Sequence, residues 1–243
     1  MEVEIIVKWT NELTDEDICN FSSVFDGVYG NFNREVFKKK YLHNIYGPSL
    51  IIEAFLLDKC VGIQAFLRND LNGIKAYQSG DSAVLAECRG AGVFQKMVKA
   101  GVEVIKNDAF IYGFPNMNSL PSFMRMNWKE LYHFRYNVLL TRKQLMGYVE
   151  LNADYASWIS EGNKSVFTVR RFGNNYLVRK EKNFVYIVYA KIHSDDASKF
   201  SRKCLPILFV HDPNGRIGNG VRCIAFNGEG KVDIHKMDVL IDA

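Results

Sequence analysis

Val84-Leu85-Ala86-Glu87-Cys88-Arg89-Gly90-Ala91-Gly92-Val93-Phe94 carries an extended apolar segment into a glycine-containing loop and on into a helix. The helix is legible from its period. Val93, Phe94, Met97, Val98, Val102 and Ile105 recur at a spacing of about 3.6, with Gln95, Lys96, Lys99, Glu103 and Lys106 on the opposite face. A strand feeding a helix through such a loop aims free backbone N–H groups and the positive helix end at one point, which suits phosphate or pyrophosphate. Gly90 and Gly92 lack Cβ and let a ligand approach the backbone. Glycine also occurs in many strand-to-helix turns for steric reasons alone, and the loop by itself fits both readings. It is neither a G-x-x-x-x-G-K-[ST] loop nor a G-x-G-x-x-G fingerprint. A second cluster, Gly215, Gly218 and Gly220, leads from one predicted strand to another and reads as a hairpin or loose loop.

Upstream of the loop, residues 2–9 alternate as a strand. Thr14 followed by Asp15-Glu16-Asp17 predicts a helix start, with helical material interrupted near Gly27 and Gly30 and continuing to about Tyr46. After the Gly47-Pro48 turn come three strands in succession, at 49–57, 60–68 and 74–86. Downstream of the long helix, residues 109–114 read as a short strand stopped by Pro115. A short helix at 119–126 and a strand at 130–140 follow. This order predicts a mixed α/β sheet. From 141 onward the pattern changes to strands, at 166–170, 176–180, 185–192, 205–210, 221–226 and 237–241. The expected division is a first domain over 1–141 and a β-rich C-terminal extension over 142–243.

The 243 residues suffice for one large domain or two small ones, and 48% hydrophobic residues with 17 Phe and 12 Tyr supply a core. A formal charge of +4 suits an anionic ligand without pointing to nucleic acid. Cysteines at 19, 60, 88, 204 and 223 form no C-x-x-C pair, and histidines at 43, 133, 193, 211 and 235 are scattered, so neither a disulfide framework nor a metal site is expected. A reducing, cytoplasmic setting follows. The first ten residues lack the pattern of a signal peptide, and no window approaches the ~18 apolar residues of a membrane span.

The loop resembles the pyrophosphate loop of the GNAT acyltransferases, Arg/Gln-x-x-Gly-x-Gly/Ala. Arg89-Gly90-Ala91-Gly92 fits, and Phe94 stands where the last small residue is expected. A second segment follows the same family's N-x-x-[AS]-x-x-x-Y-x-x-x-G-[FW] pattern with Asn116, Ser119, Phe123, Asn127 and Trp128. Asn127 takes the place of the helix-ending glycine, and asparagine is the next best residue for a left-handed position.

The resemblance implies a GNAT-like mixed, mostly antiparallel sheet flanked by helices over the first domain. It implies acetyl-CoA as acyl donor and direct attack by a small-molecule amine in a ternary complex. The implied cofactor-binding set is Val84, Leu85, Arg89, Gly90, Ala91, Gly92, Val93, Phe94, Asn116, Ser119 and Phe123. A backbone N–H near Val84 would polarise the thioester carbonyl. Asp81 is the carboxylate placed to act as base, and a turn carboxylate after Gly80 is its other reading; His133 is a weaker candidate and Glu87 reads as a solvated charge. Phe123 stands where many relatives carry a proton-donating tyrosine, which leaves Tyr112, Ser119, Ser122 or solvent for that step. Lys96 and Lys99 are candidates to meet the adenosine 3′-phosphate.

A looser resemblance, to enzymes acylating amino sugars in bacterial surface polysaccharide pathways, makes an amino sugar the acceptor. Two further readings stay open: a GNAT-derived binding module without activity, and a Fem-type aminoacyl transferase. A strand at the chain end permits pairing into a homodimer.

Overall fold

The computed structural model describes residues 2–71, 73–140, 150–151, 158, 166–192, 207–212 and 214–226. Contacts group the chain into two units, Met1–Leu131 with Cys223–Gly230, and Tyr132–Arg222 with Lys231–Ala243.

In the first unit, Thr14 starts the first helix as the sequence predicts. Its hydroxyl accepts from the Asp17 N–H, while the Asp17 carboxylate accepts from the Thr14 N–H at 2.7 Å, a reciprocal cap. This helix, α1 (Asp15–Tyr29), runs through Gly27 unbroken and ends at Gly30, whose φ of 72° is left-handed. The expected break at Gly27 is absent; the residue instead marks a close contact, since a Cβ there would lie 3.0 Å from Leu85 Cδ2. A short helix, α2 (Arg34–Phe37), is capped by Asn33 and passes into a π-helical turn, Lys38–Leu42.

Strands β1 (Glu4–Trp9), β2 (Leu50–Leu56), β3 (Lys59–Arg68) and β4 (Ala76–Val84) are antiparallel neighbours in that order. β5 (Phe110–Gly113) lies parallel to β4, and its other edge takes Ile224–Phe226 antiparallel. The long amphipathic helix, α3 (Val93–Ile105), buries Val93, Met97, Val98, Val102 and Ile105 in the core with Ile52, Phe66 and Tyr77. Each such side chain contributes roughly 1.5–3 kcal/mol. The short α4 (Leu120–Arg125) adds Phe123 to the same core, beside Trp128 at the start of β6 (Trp128–Val138).

The described part of the second unit is β-rich, as expected. β7 (Glu150–Leu151) pairs parallel with β10 (Val185–Ile192), and β8 (Val166–Arg171), β9 (Asn174–Lys182) and β10 are antiparallel neighbours. β11 (Ile207–Asp212) joins β10 parallel and β6 antiparallel. Val169, Val178, Val188, Leu208 and Val210 form its core. The strand expected at 237–241 lies outside the described residues.

The second glycine cluster is not a hairpin loop. Gly215 closes a turn on Asp212, whereas Gly218 and Gly220 lie inside β12 (Ile217–Phe226). A Cβ on Gly220 would come 2.4 Å from the Phe134 carbonyl oxygen, so the residue is there for close backbone approach.

Candidate active site

The sheet of the first unit opens beside β4. Pairing with β5 runs from Ala76↔Phe110 to Ser79↔Gly113 and ends there. On the opposite edge the register with β3 slips. Ala65 faces Gly80 and Ile63 faces Ala83, so Asp81 and Ser82 together oppose Gln64. This is a β-bulge, and Asp81 takes left-handed backbone in it, with φ 46°. A side chain there costs on the order of 1–2 kcal/mol, which local contacts must offset.

Those contacts converge from three elements. Buried Gln64 donates from Nε2 to Ser79 Oγ at 3.1 Å and Gly80 O at 3.2 Å, and its Oε1 accepts from Ser82 Oγ. From the π-helical turn, Tyr41 Oη at 2.5 Å and Lys40 Nζ at 3.0 Å both donate to Asp81 Oδ2. From the end of α1, Tyr29 Oη donates to the Ser82 carbonyl at 2.7 Å.

Register also fixes the direction of Val84. Leu85 N–H donates to Val61 O at 2.9 Å, which marks Val61 and Leu85 as a hydrogen-bonded pair. The adjoining pair, Gly62↔Val84, is therefore the non-hydrogen-bonded kind. Its N–H and C=O on Val84 point away from β3, toward the edge that β5 has left. Arg89 Nε donates to that Val84 carbonyl at 3.0 Å.

A 3-10 turn, Ala86–Cys88, leads to the glycine loop. Gly90 and Gly92 have φ of 80° and 77°, and nothing lies within 4 Å of where either Cβ would stand. Backbone conformation requires glycine here, and the space before the loop is open. The first-turn N–H groups of α3 have no intrahelical acceptor, as in any helix, and no side chain caps them. The Phe94 ring does not cross the loop. It packs edge-on to Phe123 at 5.3 Å, and Phe123 packs on Trp128 at 4.8 Å. These features leave the Gly90 and Gly92 backbone uncovered at the start of α3.

Other expected residues have structural partners. Asn116 Oδ1 accepts from the N–H groups of Asn118 and Ser119 at 3.0 and 2.9 Å, and Ser119 Oγ bonds back to Asn116, so the two start α4. Phe123 is 4% exposed and belongs to the core. Asn127 is left-handed at φ 64°, as its position predicts. The Tyr112 hydroxyl is buried, accepting from Asn69 Nδ2 at 2.6 Å and donating to Gln78 Oε1 at 3.3 Å. Glu87 pairs with Lys59 on the surface, and Lys96 and Lys99 are exposed on α3. The His133 ring meets Asn219 O at 2.9 Å. Among the described residues no group of three or more His, Cys, Asp or Glu is placed to hold a metal, and no helix is long and apolar enough to cross a membrane.

Sequence reasoning missed Tyr29, Lys40, Tyr41, Gln64 and Ser82. Tyr41 and Asp81 are 40 residues apart, and Tyr29 and Ser82 are 53 apart. No local spacing announces such contacts.

No protein-family model matches the chain, and no curated protein matches it. Solved structures do. A GCN5-related N-acetyltransferase from Kribbella flavida aligns with a TM-score of 0.58 at 12% identity, over 92% of this chain and 71% of that one. A protein from Pyrococcus horikoshii, provisionally named an acetyltransferase, aligns with a TM-score of 0.55 at 16% identity, over 96% and 93%. The chain has the fold of the GNAT N-acetyltransferases.

Proposed function

We propose that this protein transfers an acetyl group from acetyl-CoA to a primary amine of a small molecule, within a ternary complex. The observation that carries the reading is the vacated edge of β4, with the Val84 N–H turned toward it and the uncapped start of α3 just beyond. The acyl-CoA-binding part is taken as residues 1–141, with 142–243 as its extension.

In this reading the backbone of Arg89, Gly90, Ala91, Gly92, Val93 and Phe94 holds the pyrophosphate, and Val84 and Leu85 offer a strand edge to the pantetheine arm. Asn116 and Ser119 shape the approach through the turn they build, and Phe123 supports Phe94 from behind. The Val84 N–H donates to the thioester oxygen and stabilises the negative charge that develops there. The amine nitrogen bonds to the carbonyl carbon and the carbon–sulfur bond breaks, with sulfur leaving as the thiolate. Asp81 takes the proton released from nitrogen. Phe123 has no proton to give, so the thiolate takes one from solvent or from Ser122. An amino sugar is the acceptor class we favour.

A second reading, a coenzyme A-binding module without turnover, draws on the burial of Phe123 and the engagement of Ser119. Calorimetric titration with acetyl-CoA tests both. Micromolar binding that a Gly92→Trp variant loses supports the loop assignment, and turnover on an amine panel then separates enzyme from module. Absence of binding by the wild type sinks the reading.

A further inference from the structure

The end of α1 bears directly on the opened part of β4. Gly27 sits against Leu85, close enough that a Cβ would reach 3.0 Å from Leu85 Cδ2. Two residues on, Tyr29 Oη donates to the Ser82 carbonyl at 2.7 Å. Phe25 backs the Tyr29 ring, centroids 4.9 Å apart, and Tyr29 is 51% exposed. Ser82 precedes Val84 by two residues on the same strand, about 7 Å in extended chain. The phenol is thus held by the carbonyl two residues before the N–H assigned to the thioester oxygen, on the residue that follows Asp81.

We propose that Tyr29 Oη, held by the Ser82 carbonyl, is the hydrogen-bond acceptor that seats the acceptor's amine for attack. The proposal rests on the acetyl-transfer reading and adds to it the group that positions the nucleophile. A phenol has one proton and two lone pairs. Here the proton is committed to Ser82, so toward the gap the oxygen offers only lone pairs. Partial desolvation of the hydroxyl where it meets the strand, although the residue is half exposed, and next the Asp81 carboxylate hold the phenol above its ordinary value, so it keeps that proton. An amine N–H finds an acceptor there, and its lone pair is left free to face the carbonyl carbon. Tyr29 is a positioning residue and takes no proton.

The test uses a stable mimic of the joined substrates, the N-propylamide of S-carboxymethyl-coenzyme A. Its amide nitrogen stands for the acceptor amine and carries one N–H. The N-methyl-N-propyl analogue lacks that hydrogen. By calorimetry the wild type should bind the secondary amide more tightly than coenzyme A. Tyr29→Phe should weaken the secondary amide about tenfold while leaving coenzyme A unchanged. The tertiary amide should bind wild type and variant alike, because the hydrogen bond is already missing. Equal affinity of the wild type for secondary and tertiary amides overturns the seat without use of any variant. Equal losses for coenzyme A and the amide in Tyr29→Phe also overturn it, since they indicate a structural role. Failure of the wild type to bind coenzyme A overturns the donor reading and the seat together.

Discussion

Tyr41 donates its hydroxyl to Asp81 Oδ2 at 2.5 Å, on the oxygen that Lys40 Nζ also approaches at 3.0 Å. Two consecutive residues of the π-helical turn reach one carboxylate, and the carboxylate meets them from left-handed backbone in the β4 bulge. Asp81 therefore fastens the α2 region to the bulge as well as standing at the proposed reaction centre. Its two roles separate by mutation. Asp81→Asn should lower turnover about 10²-fold, the lower range for loss of a general base, and cost about 1–3 kcal/mol of stability. Lys40→Met should reproduce a stability loss without the full loss of turnover. Wild-type turnover by Asp81→Asn would remove Asp81 as base and leave it as the fastener alone.

Glu53 makes stability depend on pH near neutrality. It lies on β2 at 2% exposure, and its Oε1 has no hydrogen-bond partner. Burial, and next the Asp17 carboxylate, push it up to about 7 from 4.5. The folded state thus holds a proton that the unfolded chain releases. Its contribution is complete below the unfolded value and is lost as pH rises through about 7. Asp17 has the opposite sign: burial works against its charge, but Lys8 and Thr14 hold it below 3.8, so its contribution is lost only in acid. The melting temperature should therefore fall between about pH 5 and about pH 8, and Glu53→Gln should flatten that fall. An unchanged slope in the variant would assign the dependence elsewhere.

Gly101 sets how closely α3 lies on the sheet. A Cβ there would meet Phe66 Cε2 at 2.2 Å and Ile52 Cδ1 at 3.0 Å. Alanine raises helix propensity by about 1 kcal/mol, yet overpacking costs about 1–3 kcal/mol. Gly101→Ala should on balance destabilise, seen as a lower urea midpoint with the slope unchanged. A higher midpoint would mean that Phe66 has another rotamer available at small cost.

The local determinants were readable from sequence because they act within a few residues. Thr14 and Asp17 cap each other three positions apart, α3 declares itself by its apolar period, and Asn127 ends α4 through its own backbone preference. The glycine loop was placed by the same logic, since strand, loop and helix are contiguous. Gly27 and Gly220 were misread because a glycine that admits a neighbour's Leu85 or Phe134 looks, in sequence, like one that breaks a helix or makes a loop. The direction of the Val84 N–H depends on which residues of β3 and β4 are paired, and a slip of one residue would reverse it. The joining of Asp81 to Lys40 and Tyr41, and of Ser82 to Tyr29, required the bulge, the π-helical turn and the end of α1 to meet. Sequence determined the elements and the loop; only tertiary packing, which brings together groups tens of residues apart, decided what faces the opened edge of β4.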